Sequence, residues 1–218
     1  MKLVIRKKEY EIPTNLSLEV WCDLMRYGFS EENYNRIISI AFNIPEVRVK
    51  LIPKKQQEVC LTIIQTLMNP PIRERHNLKI NLNNITFGDF IDMEVYIDNG
   101  IHKNMKQIID LLFDLEYSDE LKITDVYEGL IKYFNFRKSI FNRYKKLFDA
   151  DDEIPTEKEK LPTSYIWWEI LMILADGKFL NIDEATKKPL IQALNYISWN
   201  KDKNTREINR QKKMRNEL

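Results

Sequence analysis

The sequence predicts a mostly α, α+β fold: a multi-helix domain with a small N-terminal β-hairpin and a basic C-terminal arm. Three features carry that expectation. Apolar residues recur every three or four positions over most of the 218 residues, the spacing that lines one face of a helix. Two-residue alternation is confined to two short stretches, at the N-terminus and near residue 80, where strands are expected. Helix punctuation is explicit, with Ser, Thr or Asn before apolar runs and Gly or Pro after them.

Leu3 to Arg6 and Tyr10 to Ile12 alternate around Lys7-Lys8-Glu9 and read as a hairpin with a charged tip. Two strands alone are marginal in water, so the hairpin is expected to lie on the helices that follow. The first, Leu18 to Tyr27, has Ser17 as cap, turns Trp21, Leu24 and Met25 inward and ends at Gly28. Ser30-Glu31-Glu32 opens a second helix with carboxylates where the dipole favours them and Ile37, Ile38, Ala41 and Phe42 as its apolar face. Pro45 and Pro53 read as first-turn prolines. The helix from Lys54 to Met68 is expected to pack Val59, Ile63, Ile64 and Leu67 before Asn69-Pro70-Pro71 stops it. Leu78 to Leu82 alternates as a strand, and Asn83-Asn84 would turn it into Ile85-Thr86 as a second hairpin.

Residues 85 to 113 predict a helical hairpin with one buried side. Thr86 and Asp89 form a capping-box-like start. Phe87, Phe90, Ile91 and Met93 make a stripe, and Asp98-Asn99-Gly100 supplies the turn. Asn104 would cap the second helix, in which Met105, Ile108, Ile109, Leu112 and Phe113 recur. Thr124 to Leu147 is the longest expected helix, with a bend at Phe134 to Phe136. Ser164 caps an apolar helix from Tyr165 to Asp176, which Gly177 ends. Asp183 starts the last helix, where Pro189 kinks it or resets its start. No internal repeat emerges from the spacing of residue types. The organisation expected is 1-148 as hairpin plus helical domain, 149-162 as charged linker, 163-199 as C-terminal helical subdomain and 200-218 as basic arm.

A hydrophobic content of 44% with 11% aromatics suffices for a core. Lys and Arg total 34 against 33 Asp and Glu, so only local charge asymmetry offers an electrostatic argument. No apolar run approaches the roughly 20 residues of a membrane span, and the N-terminus lacks an h-region, so no membrane partner is expected. Cys22 and Cys60 are solitary within helical patterns and read as buried thiols. The five glycines are solitary, which excludes glycine-rich phosphate loops.

His76 and His102 have no ligand-type partner at metal-binding spacing. Asp149 to Glu153 begins like a calcium loop but lacks the glycine at the sixth position. Asp176 to Glu184 has too few ligands and reads as a helix end followed by a helix start. No cofactor, metal or catalytic residue is therefore expected. Tyr165, Trp167 and Trp168 suggest an aromatic platform or a protein contact. Adjacent tryptophans on a helix point about 100° apart, so one is expected in the core and one partly exposed. From Asn200 the apolar stripe stops: seven cations, Lys201, Lys203, Arg206, Arg210, Lys212, Lys213 and Arg215, stand against three carboxylates. That composition predicts a solvated helix or a disordered tail in isolation. It suits phosphate neutralisation through Arg206, Arg210, Lys212, Lys213 and Arg215, or folding into an acidic groove of a partner.

ITFGDFIDMEVYI followed by a helix ending in DLLF, LVIRKKEYEIPTNLSLEVW leading into a Trp-containing helix, and YIWWEILMILA opening the second half resemble small tail- and neck-region proteins of tailed bacteriophages. The resemblance extends to about Trp199. It implies a non-enzymatic virion component or tail assembly chaperone that acts by protein contact without a cofactor. The partners it implies are other phage structural or assembly proteins in a homo- or hetero-oligomer, located in a virion assembled in the host cytoplasm. The alternative from another class is a nucleic-acid-binding module using the basic arm. Trp167 and Trp168 with Arg206, Arg210, Lys212, Lys213 and Arg215 are the interaction residues expected.

Overall fold

The structure, a computed structural model, describes residues 2–71, 79, 81–113, 117–118, 121–148 and 163–216. Two strands, β1 (Lys2–Ile5) and β2 (Lys8–Glu11), precede the α-helices. These are α1 (Leu18–Tyr27), α2 (Tyr34–Phe42), α3 (Glu46–Val49), α4 (Lys54–Met68), α5 (Phe87–Asp98), α6 (Met105–Leu112), α7 (Ile123–Arg143), α8 (Lys145–Phe148), α9 (Thr163–Leu174), α10 (Ile182–Thr186) and α11 (Leu190–Asn216). The mostly helical fold with a two-stranded N-terminal hairpin is therefore the one the sequence predicts. The expected linker 149-162, with its calcium-like Asp149 to Glu153, and His76 lie outside the described residues.

The chain forms two compact units, Met1–Lys79 with Asn99–Lys132, and Ile80–Asp98 with Tyr133–Leu218. This differs from a first domain running to residue 148. The expected helical hairpin is divided accordingly, since α5 belongs to the second unit and α6 to the first. Each apolar stripe serves its own core, and α7 contributes residues to Lys132 to the first unit and the remainder to the second.

In the first unit the hairpin pairs antiparallel, Lys2 with Glu11 through Ile5 with Lys8. Its turn is tighter than expected: Arg6 and Lys7 both take positive φ, 45° and 69°, the twist that two-residue hairpins need. Ile5 and Tyr10 are buried, and the Tyr10 hydroxyl accepts a hydrogen bond from Arg48 at 2.6 Å. The Trp21 indole donates to the Met68 carbonyl at 3.1 Å, joining α1 to the end of α4. Met25, expected inward, is half exposed; it lies in the last turn of α1, past the last buried residue, Leu24. Val59 is also half exposed, because the buried stripe of α4 is Cys60, Leu61, Ile64 and Met68 and Val59 lies about 140° round the helix from Ile64. Asn104 precedes α6 without capping it; its side chain donates to the Gly100 carbonyl at 3.2 Å.

In the second unit Trp167 packs edge-on against Phe87 and Phe90, with ring centroids 6.1 and 5.7 Å away, and contacts Phe148 at 5.7 Å. The second hairpin is absent among the described residues. Leu82–Asn84 form a 3₁₀ turn, and Leu78 and Ile80 are not described. Thr86 makes an isolated bridge with Pro189 instead. α7 runs unbroken through Phe134 to Phe136 and stops at Tyr144. Nothing in that aromatic run removes a backbone donor, so the i to i−4 ladder continues. Pro189 resets the helix start, with α11 beginning at Leu190.

The two units repeat one local device, contrary to the expectation of no internal repeat. Asn15-Leu16-Ser17-Leu18, followed by Trp21, Asp23 and Leu24, matches Asn84-Ile85-Thr86-Phe87, followed by Phe90, Asp92 and Met93, position for position. Ser17 bridges Lys122 at the start of α7, as Thr86 bridges Pro189 at the start of α11. Paired amide-carbonyl bonds flank each bridge: Leu18 to Leu121 and Ile123 to Leu16 in one, Phe87 to Lys188 and Leu190 to Ile85 in the other. The hydroxyl then caps the helix, Ser17 accepting from the Val20 amide at 3.3 Å and Thr86 from the Asp89 amide at 3.0 Å. Leu16, Leu18, Trp21 and Leu24 are buried, as are Ile85, Phe87, Phe90 and Met93. The repeated types are similar rather than identical, which hides the repeat from a search for matching residues.

Candidate interaction surface

α9 turns one side inward and another to solvent. Trp167, Ile170 and Leu171 are buried, as is Ala175 just past the helix, whereas Tyr165, Ile166, Trp168 and Ile173 are exposed. On the solvent side the one charged residue is Glu169. The helix ends where Asp176 and Gly177 take positive φ, 55° and 68°, and the Gly177 amide reaches back to the Met172 carbonyl at 2.9 Å. This is the left-handed helix end that solitary glycines mark. A 3₁₀ turn, Phe179–Asn181, follows, and holds Phe179 71% and Leu180 90% exposed. The helix face and the turn that follows it thus expose six large apolar side chains, Tyr165, Ile166, Trp168, Ile173, Phe179 and Leu180.

Of the two expected aromatic contact residues, Trp168 lies on this surface and Trp167 does not. Trp167 is 3% exposed, at the centre of the Phe87, Phe90 and Phe148 cluster, so its role as a contact residue is corrected to one in the core. Phe179 and Leu180 were missed because the segment reads as punctuation between helices; two apolar residues adjacent in a turn are the signal that pointed to them.

Arg206, Arg210, Lys212, Lys213 and Arg215 all lie on α11, which continues in one piece from the core to Asn216. The last buried residue is Ile197, and positions 202 to 215 are exposed. Tyr196 and Trp199 are half exposed with ring centroids 6.0 Å apart, and the Lys203 ammonium lies 5.5 Å from the Trp199 ring centre.

The other concentration of charge is internal. Glu94, 1% exposed, accepts from Arg137 Nε at 2.6 Å and Nη2 at 2.7 Å, and the guanidinium lies 4.6 Å from the Phe141 ring centre. Burial pushes the Glu94 carboxyl above its ordinary range, against the opposing pull of Arg137. The Tyr133 hydroxyl, fully buried nearby and without a hydrogen-bond partner, is held protonated by the same burial. The two carboxylate oxygens and two guanidinium nitrogens are engaged with one another, which fastens α5 to α7. Sequence reasoning missed this pair because Glu94 stands in an apolar stripe and Arg137 lies 43 residues away.

Cys22 and Cys60 are buried free thiols, and burial pushes Cys22 up to about 12. Among the described residues no group of three or more His, Cys, Asp or Glu is placed to hold a metal ion, and no helix is long and apolar enough to cross a membrane. Searches against protein-family models, curated proteins and solved structures return no match to this chain.

Proposed function

We propose that this protein is a non-enzymatic assembly component, a structural or tail/neck protein of a bacteriophage virion, that works through protein contacts. The observation that carries the reading is the apolar outer face of α9 with Phe179 and Leu180. Large apolar side chains exposed in such number are the kind of surface that protein interfaces cover. Glu169 is the one charged residue within α9, with Asp176 and Lys178 beside the turn, and a second copy satisfies the apolar side chains by placing the same face opposite, as two-fold symmetry requires. The resemblance of the N-terminal hairpin, the Trp-containing helix and the Trp-rich α9 to phage tail and neck proteins supplies the biological setting. Mass spectrometry of purified particles tests the reading. The chain is expected in a fixed ratio to the major structural proteins, and its absence from finished particles overturns the virion assignment in favour of a transient chaperone.

A further inference from the structure

We propose that the exposed part of α11 is a nucleic-acid-binding arm that seats on the phosphate backbone of duplex DNA without reading sequence. This goes beyond the assembly reading and uses residues other than the α9 face.

At 100° per residue, the seven cations of the arm fall into two rows. Lys203, Arg206, Arg210 and Lys213 occupy an arc of about 80° that has Trp199 at its head. Lys201, Lys212 and Arg215 form a second row about 180° away. The carboxylates Asp202 and Glu207 fall between the rows. At its root the second row meets a groove of about 380 Å³ lined by Arg143, Lys145, Lys146 and Lys201 with Asp202, where Lys201 donates to the Lys146 carbonyl at 2.8 Å. The positive surface therefore runs from the helical body onto the arm.

This layout separates a nucleic acid from an acidic protein groove. A helix that docks in a protein groove presents one apolar stripe at i, i+3 or i+4, and i+7. Among the described residues beyond Trp199 the arm has only Ile208 and Met214 as large apolar residues, and they point about 120° apart. The B-DNA major groove is about 12 Å wide, admits a helix and has phosphates along both walls. Cations on opposite sides of one helix match two walls of phosphate. From Lys201 to Arg215 the arm spans about 21 Å, enough to lie in the groove across several base pairs, with Tyr196 and Trp199 at the point where it leaves the core.

The test is fluorescence anisotropy of the full-length protein with a labelled 24-base-pair duplex from 50 to 300 mM salt. Binding is expected at 50 mM and falls as salt rises, with a log-log slope of about −4.5 to −6.3 for some five to seven phosphate contacts. Arg206→Glu/Arg210→Glu and Lys212→Glu/Arg215→Glu each weaken binding at least ten-fold, whereas Lys54→Glu/Lys55→Glu on α4, with the same charge change, does not. Circular dichroism confirms that the variants keep their helix content. The proposal is overturned by no binding at 50 mM salt, by an equal loss in the α4 variant, or by polyglutamate competing as well as unlabelled duplex of the same charge.

Discussion

Replacing Arg137 by Met is expected to destabilise the protein far more than the same change at an exposed arginine. Glu94 is 1% exposed and its two oxygens accept from Arg137 at 2.6 and 2.7 Å. Without the guanidinium, a carboxylate stays buried with no cation opposite it. Removing one partner of such a pair costs about 3–5 kcal/mol, which at a urea slope of about 2 kcal/mol/M shifts the midpoint by about 2 M. The cost depends on pH. Burial already raises Glu94, and in Arg137→Met the main opposing influence is gone, so the folded-state value rises further above the unfolded one. A carboxyl raised in the folded state binds its proton more tightly there, so stability is greatest below the unfolded value, near 4.3, and falls as pH climbs through the window up to the folded value. The deficit of Arg137→Met relative to wild type should therefore shrink between pH 8 and pH 5. Glu94→Leu/Arg137→Met, which removes both charges, is expected within about 1–2 kcal/mol of wild type. Urea denaturation followed by far-UV circular dichroism at both pH values reads all three proteins. A shift in Arg137→Met below 0.5 M at pH 8, or a deficit that grows toward pH 5, refutes the reasoning.

Gly88→Ala in α5 is expected to destabilise by about 1–3 kcal/mol, opposite in sign to the usual helical gain of about 1 kcal/mol. Its Cβ would lie 3.0 Å from Thr186 Cβ and 3.2 Å from the Thr186 carbonyl oxygen, and thermal denaturation measures the difference. Cys22 in the native protein is expected to resist iodoacetamide at pH 8 and to react within minutes in urea, because burial pushes its thiol up to about 12. Mass spectrometry of the alkylated protein checks this. The same shift makes stability fall as pH rises through the unfolded thiol value toward the folded one. Ser17→Ala is expected to cost about 1 kcal/mol through loss of the cap on α1, read as a lowered urea midpoint.

Local physics was legible in the sequence and the assignment of segments to cores was not. The Ser17 and Thr86 caps, the glycine helix ends and the resetting of α11 by Pro189 depend on neighbours within a few residues. The division of residues 85 to 113 between two units depends on partners such as Lys188 and Pro189, about 100 residues away, and no periodicity within the stretch encodes that. The Glu94–Arg137 pair was hidden for the same reason. Periodicity did split the adjacent tryptophans, with Trp167 inside and Trp168 outside, but it could not say which faced the core. The arm was legible as charge and not as geometry: its two opposed rows follow only once α11 is known to run unbroken to Asn216.

The proposal that the protein acts by contact through the α9 face is tested most directly by sedimentation equilibrium of the purified chain. Wild type is expected to self-associate reversibly at micromolar concentration. Trp168→Asp/Leu180→Asp, which places charges on two exposed side chains of the face, is expected to remain monomeric with unchanged circular dichroism. A wild-type chain that stays monomeric to several hundred micromolar, or a variant that associates as wild type does, contradicts it.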